Sequence, residues 1–161
     1  MKQKKIRILA SVAALALIAS ACSINVERNV DGSLQVTGEI TAQALATEFE
    51  RDPDNDSVKL SINDGVMLLD VEGVDENGEY VANLRIELSA VDGVLVVNIT
   101  EAFYNGWTVP DDMRAEFNAE VSKEIREGLE ENPDATLVSL VADNNKIVAE
   151  WRVETEDSKK S

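Results

Sequence analysis

The stretch VKLSINDGVMLLDVEGVDENGEYVANLRIELSAVDGVLVVNITEAF, residues 58–103, decides the fold. Apolar and polar residues alternate along it, and the alternation is interrupted at Asp64-Gly65, Asn77-Gly78 and Asp92-Gly93. Such dipeptides close two-residue hairpins, because both turn positions need positive φ. Folding about Asp64-Gly65 sets Ile62 opposite Met67, Leu60 opposite Leu69 and Val58 opposite Val71, with Lys59 opposite Asp70 on the other face. The same arithmetic at Asn77-Gly78 sets Val71 with Leu84, Leu69 with Ile86 and Met67 with Leu88, and puts Arg85 beside Asp70. At Asp92-Gly93, Leu88 meets Val97, Ile86 meets Ile99 and Ala90 meets Leu95. All three turns agree on one apolar face, and a slip of one residue would destroy the agreement. The spacing predicts a four-stranded antiparallel meander from about Val58 to Phe103.

Working outward, Ile24–Val30 and Leu34–Ile40 pair about a three-residue loop, Asp31-Gly32-Ser33. Thr136–Ala142 and Lys146–Val153 flank Asn144-Asn145, and set Trp151 against Val138 as core. Thr41 can cap a short helix to about Glu50, with Ala42, Leu45 and Phe49 on one side. A longer helix runs from about Asp111 to Glu130, capped by Thr108 or Asp111 and ended by Asn132-Pro133. Met113, Phe117, Val121, Ile125 and Leu129 recur every four residues and wind slowly around it. The pieces VDGSLQV at Val30 and VDGVLVV at Val91 read as repeated hairpin chemistry. The expected fold is α+β: a curved antiparallel meander of about eight strands packed on one long and one short helix.

The N-terminus reads differently. Lys2, Lys4, Lys5 and Arg7 precede an apolar run from Ile8 to Ile18, interrupted by Ser11. That run is short of the about 20 residues needed to span a bilayer. Ala19, Ser20 and Ala21 lead into Cys22, the one cysteine of the chain. This segment resembles the lipobox of bacterial lipoprotein precursors, with Ala19 where the family usually carries a larger aliphatic. The resemblance implies cleavage before Cys22 and a diacylglyceryl group on its thiol, with a third acyl chain in some members. It places the protein outside the cytoplasm, held to a cell or outer membrane. An ordinary secretory signal cut after Ala21 is the alternative, and it leaves an unpaired thiol in an oxidising compartment. The expected organisation is a leader over 1–21, one domain over 22–153, and a disordered tail over 154–161.

The leader holds four of the 15 basic residues and none of the 31 acidic ones, so the 140 residues after it carry a net charge of −20. Such a chain repels phosphate backbones and anionic headgroups, which argues against a nucleic-acid partner. Catalytic readings fail on inventory. The chain has no histidine, no Gly-x-Ser-x-Gly elbow and no Gly-rich phosphate loop. No enzyme activity, cofactor or metal is expected. Asp52-Pro-Asp54-Asn-Asp56-Ser opens like a calcium loop, but Ser57 stands where the turn glycine belongs and Asn63 where the closing Glu belongs. Asn98-Ile-Thr100 fits a glycosylation sequon but lies mid-strand in a chain read as bacterial.

Phe103-Tyr104-Asn105-Gly106-Trp107 gathers a large share of the few aromatics at a strand-to-helix junction. These rings either plug the end of the core or line the mouth of an apolar cavity, and the plug is preferred. In the cavity reading Phe103, Tyr104, Trp107, Met113, Phe117, Val121 and Ile125 are the lining, with an acyl chain or other lipid as ligand. The layout from Ile24 to Val153, a striped helix cradled by a meander, looks like the tubular lipid-binding (TULIP) class and the small cell-envelope lipid-binding proteins related to it. Two functions remain open: a structural or protein-interaction lipoprotein with an envelope partner, and a carrier or sensor of an apolar ligand.

Overall fold

The computed structural model describes residues 23–130 and 133–160; the leader and Cys22 lie outside the described residues. Among these residues the order is β1 (Ser23–Arg28), β2 (Leu34–Thr41), α1 (Ala42–Glu50), β3 (Asn55–Asn63), β4 (Val66–Asp75), β5 (Gly78–Val91), β6 (Val94–Tyr104), β7 (Trp107–Thr108), α2 (Asp111–Glu130), β8 (Ala135–Asp143) and β9 (Lys146–Val153). The fold is α+β and antiparallel throughout. Its strands divide into a small sheet, β1-β2-β9-β8, and a large sheet, β3-β4-β5-β6-β7.

Turn chemistry explains most of the register. Asp64-Gly65, Asp92-Gly93, Asn105-Gly106 and Asn144-Asn145 each hold two successive positive φ angles. That is the type I′ geometry whose twist matches the flanking strands. The β3–β4 and β5–β6 pairings follow as expected, Ile62 with Met67, Leu88 with Val97. The β4–β5 register differs by two residues: Met67 meets Ile86, Leu69 meets Leu84 and Asp70 meets Asn83. Here the loop is Glu76-Asn77, held by the Asp75 carboxylate accepting the Asn77 N–H at 2.7 Å, and the left-handed residue is Gly78, at φ 109°. An Asn-Gly pair thus closes a turn one position earlier than a type I′ loop, and a two-residue shift leaves every side chain on its face. Likewise β1 and β2 join through a five-residue loop, with Arg28 opposite Leu34.

Besides an irregularity between Asn55 and Ser57 of β3, two bulges reverse the alternation. Between Arg85 and Ile86 the partners step from Glu101 to Ile99, leaving Thr100 as the extra residue. Beyond it the inward residues are Ala102 and Tyr104 instead of Glu101 and Phe103, so Ala102 is 1% exposed and Phe103 37%. In β8 the step between Leu137 and Ser139 expels Val138 to solvent and sets Leu137, buried, against a half-buried Trp151. The expected Trp151–Val138 pair is therefore corrected by one bulged residue.

The main core joins both sheets and both helices. Ile62, Met67, Ile86, Leu88 and Val97 of the large sheet meet Val121 and Ile125 of α2, Leu45 of α1, and Ile40, Ala142 and Ile147 of the small sheet. A second cluster, Phe49, Val58, Leu69, Val71 and Tyr80, continues under α1. Each such side chain contributes roughly 1.5–3 kcal/mol by leaving water. Thr41 caps α1, its Oγ1 accepting the Ala44 N–H at 3.2 Å, and Ala42, Leu45 and Phe49 are the buried face.

The sheets meet edge to tip. The outer edge of β8 bonds to two hairpin tips of the large sheet: Gly65 N–H donates to Ala142 O (2.8 Å), and Leu137 N–H donates to Gly93 O (3.0 Å). Asn145 completes the junction. Its N–H donates to Ile62 O (2.8 Å), its Oδ1 accepts the Ile62 N–H (3.0 Å), and its carbonyl accepts the Ala42 N–H (2.8 Å).

Residues 154–160, expected to be disordered, fold back over the β1–β2 loop. Thr155 Oγ1 donates to Gly32 O at 2.8 Å, Arg28 pairs with Asp157 at 2.7 Å, and Lys159 with Asp134 at 2.5 Å. Composition read this segment as polar and loose, whereas Glu154, Asp157 and Lys159 pair in turn with Arg152, Arg28 and Asp134 on or beside the small sheet.

Candidate functional site

The seven residues expected around one cavity fall into two groups. Val121 and Ile125 are buried in the main core, and Met113 and Phe117 sit half-buried on the same helix. Phe103, Tyr104 and Trp107 stand on the β6–β7 hairpin, at the end of the large sheet remote from its junction with β8. Phe103 and Trp107 neither plug the core nor line a mouth, since Phe103 points away from it and Trp107 is 80% exposed. Tyr104, itself part-exposed, lies against the buried Tyr80 of the second cluster. The Thr100 bulge turns Phe103 outward, and the Asn105-Gly106 turn lifts Trp107 beyond the helix–sheet packing. The Asn-Gly pair was the sequence signal for this extra hairpin.

The hairpin is firmly built. Tyr104 stacks on Tyr80, with centroids 5.8 Å apart and planes 12° from parallel. Asn105 N–H donates to Val81 O, and its Oδ1 accepts the Val81 N–H, both at 2.7 Å. Tyr104 hydroxyl reaches the Asp75 carboxylate at 3.2 Å. The hairpin thus presents an exposed indole.

A groove of about 450 Å³ opens elsewhere, where α2 passes the β3–β4 turn and the ends of β5 and β6. Asp64, Glu87, Ser89, Asn98, Asn118 and Ser122 give it a polar lining beside Val66 and Val96. None of the seven expected residues lines it. Asn118 fixes its wall: its Oδ1 accepts the Ile99 N–H (2.8 Å), and its Nδ2 lies 3.1 Å from Ile99 O and 2.8 Å from Asn98 Oδ1.

A third cluster is electrostatic. Arg152 pairs with Asp31 and, at 2.6 Å, with Glu154. Ser33, fully buried, donates its backbone and side chain to Asp31 Oδ1 at 3.0 and 2.7 Å. The Ser33 hydroxyl, then the Arg152 guanidinium, hold the Asp31 carboxyl down at about 2, against an ordinary 3.8. Glu154 is lowered by Arg152 and then by the Ser158 hydroxyl, 2.7 Å away. Arg152 is raised in turn, first by Glu154. The cluster joins β9, the β1–β2 loop and the C-terminal segment, and every charge in it faces an opposite charge. It is built as a clasp.

The Asp52–Asp56 loop spends its groups on the fold. Asp52 Oδ1 accepts the Asp54 N–H at 3.0 Å, and Asp54 O accepts the Val74 N–H at 3.0 Å. Among the described residues no three carboxylate or thiol groups converge as a metal cage, and no helix is long and apolar enough to cross a membrane. No known protein family, curated protein or solved structure matches the chain.

Proposed function

We propose that this protein is an extracytoplasmic lipoprotein, cut before Cys22 and held to a membrane by lipid on that thiol, with a folded part that serves as a non-catalytic structural or protein-interaction domain. The observation that carries the reading is the position of β1: Ser23, the residue after the cysteine, is already paired with Glu39 in the small sheet. Sheet structure that starts beside the lipobox-like cleavage point suits a domain seated against the bilayer without a tether. The basic and apolar leader supports the export step, and two acyl chains give a durable anchor where one is marginal. The high negative charge requires the lipid, rather than surface charge, to hold the domain to anionic leaflets.

The interaction role draws support from the packing. Val121 and Ile125 of the α2 stripe are spent on the core, so these two offer no free surface to an acyl chain. An apolar-ligand carrier of the tubular lipid-binding kind therefore draws less support than a packed domain that meets its partner through its surface. Intact mass measurement of the protein from its own membrane tests both. The expected result is a chain starting at Cys22 with a covalent lipid increment and no further mass under native conditions. An unmodified Cys22 overturns the anchor, and a non-covalent mass lost on denaturation overturns the packed reading in favour of the carrier.

A further inference from the structure

An exposed sheet edge is an offer of backbone hydrogen bonds, and natural folds cover such edges. This chain covers them deliberately. Hairpin tips at Gly65 and Gly93 bond to β8, Asn118 of α2 bonds to both backbone groups of Ile99 in β6, and Asn145 does the same for Ile62 in β3. Strand β1 is the contrast. It pairs with β2 on one side, and among the described residues no backbone hydrogen bond reaches its other side. All six residues are exposed, Ile24 at 60% and Val26 at 55%. Apart from the charged pair Glu27-Arg28 at its end, the strand Ser23-Ile-Asn-Val-Glu-Arg28 carries no edge protection: it contains no proline, no lysine and no bulge.

We infer that β1 is the seam of a homodimer, in which it pairs antiparallel with β1 of a second copy and joins two small sheets into one eight-stranded sheet. The occupant follows from the strand's self-complementarity. A two-fold axis through Asn25 sets Ile24 of each copy opposite Val26 of the other, twice over. It sets Ser23 opposite Glu27, and Asn25 opposite its own equivalent. No like charges meet. Glu27 and Arg28 leave the strand neutral although the chain as a whole is strongly acidic, and Arg28 is already held by Asp157. On the face of Val26 the sheet continues through Val36 to a half-buried Trp151, so the seam joins two apolar strips. The dimer uses an isologous contact, which closes on itself and leaves no edge for further growth. A strand this short buries less than the about 1,200 Å² of a stable interface, so the association is weak and concentration-dependent.

The pairing stands whether or not Cys22 carries lipid, and it is tested on the full chain in its own membrane. In the proposed register the two Asn25 Cα atoms lie roughly 4.5–5.5 Å apart, within disulfide reach. The two Glu27 residues are displaced by four positions, about 13 Å along the strands. Asn25→Cys should give a disulfide dimer on mild oxidation, and Glu27→Cys should stay monomeric. The unaltered chain run beside them reports any bridging through Cys22, and its mass reports the lipid, so failure of the anchor and failure of the seam are read separately. Equal cross-linking at both positions, or none at Asn25→Cys, overturns the proposal. Light scattering of the unaltered protein in detergent is the second measurement. A shift toward two copies with concentration supports the seam, and a monomer throughout overturns it. If the chain captures another protein and never itself, β1 is an edge for a heterologous strand and the homodimer is wrong.

Discussion

Three asparagines do the same physical work at different places. Asn145, Asn105 and Asn118 each engage both the N–H and the C=O of one residue on a neighbouring strand: Ile62, Val81 and Ile99. Asn145 and Asn105 donate with their backbone N–H and accept with Oδ1, whereas Asn118 uses both ends of its side-chain amide. That amide carries the same donor and acceptor as a peptide, and in each case the residue stands in for a missing strand. Two of the three sit at positive φ, where asparagine is better tolerated than other non-glycine residues. Gly73 answers a different demand. Its φ is ordinary, but a Cβ there would lie 2.0 Å from Asp54 O and 2.9 Å from the Tyr80 ring. The Tyr80 ring lies across it, with its hydroxyl 2.5 Å from Asn55 Oδ1. Gly73→Ala should therefore destabilise the fold by at least about 2 kcal/mol, as overpacking against backbone does. At Gly78, by contrast, a methyl meets open space and only φ opposes it, so Gly78→Ala should cost about 1 kcal/mol. Urea unfolding midpoints of the two variants check the order, and a Gly73→Ala protein as stable as the parent would mean that the Asp54 carbonyl can move aside.

At the scale of elements, the decisive feature is α2 lying along β6. Five apolar residues at four-residue spacing predicted a helix docked by its greasy face, and Val121 and Ile125 do dock that way. Yet the contact that sets the register is polar: Asn118 bonded to Ile99 at the open edge of the sheet. Asn118→Ala leaves two half-buried backbone groups without their partner, and should cost about 1 kcal/mol while speeding amide exchange at Ile99. Asn118→Asp retains the acceptor for the Ile99 N–H but faces the Ile99 carbonyl with a charge, so it should not restore stability. Exchange at Ile99 that is unchanged in both variants would assign the edge to packing alone. The same elements show what could be read in the sequence. Faces and turns were legible because both follow local periodicity and local φ requirements, as at Asp64-Gly65. Registers of two residues were not, because Asn77-Gly78 serves two turn types equally well and neither changes the face. The bulges at Thr100 and Val138 were invisible, since nothing local marks an extra residue that the partner strand leaves unpaired. Through the Thr100 bulge Phe103 changed sides, and with it the reading of Phe103 as core plug or cavity mouth.

For the molecule as a whole, charge sets the conditions under which it stays folded. Self-repulsion among so many carboxylates weakens as acid neutralises them, which favours the compact state on the way down from neutral pH. The clasp acts in the opposite sense. Asp31 and Glu154 are held below their ordinary values by Ser33, Arg152 and Ser158, so the folded chain releases their protons more readily than the unfolded one. A carboxyl depressed by folding contributes stability above its unfolded pKa and loses it as pH falls toward the folded one. For Asp31 that window runs from about 4, the unfolded value, down to about 2. The clasp is solvent-exposed and its effect correspondingly screened, so its readout is a difference between variants at one ionic strength. The parent protein should lose stability between pH 4 and 2 relative to Asp31→Asn, and the two should run parallel above pH 5. Arg152→Met should remove only part of that difference, because Asp31 loses its counter-ion but keeps the larger hold of Ser33. The segment it holds should loosen first: protease should nick between Glu154 and Lys160 in Arg152→Met at neutral pH, and in the parent only near pH 3. Parallel curves for parent and Asp31→Asn through the whole range would mean that the backbone contacts at Gly32 and Asp134, not the ion pairs, hold the C-terminal segment.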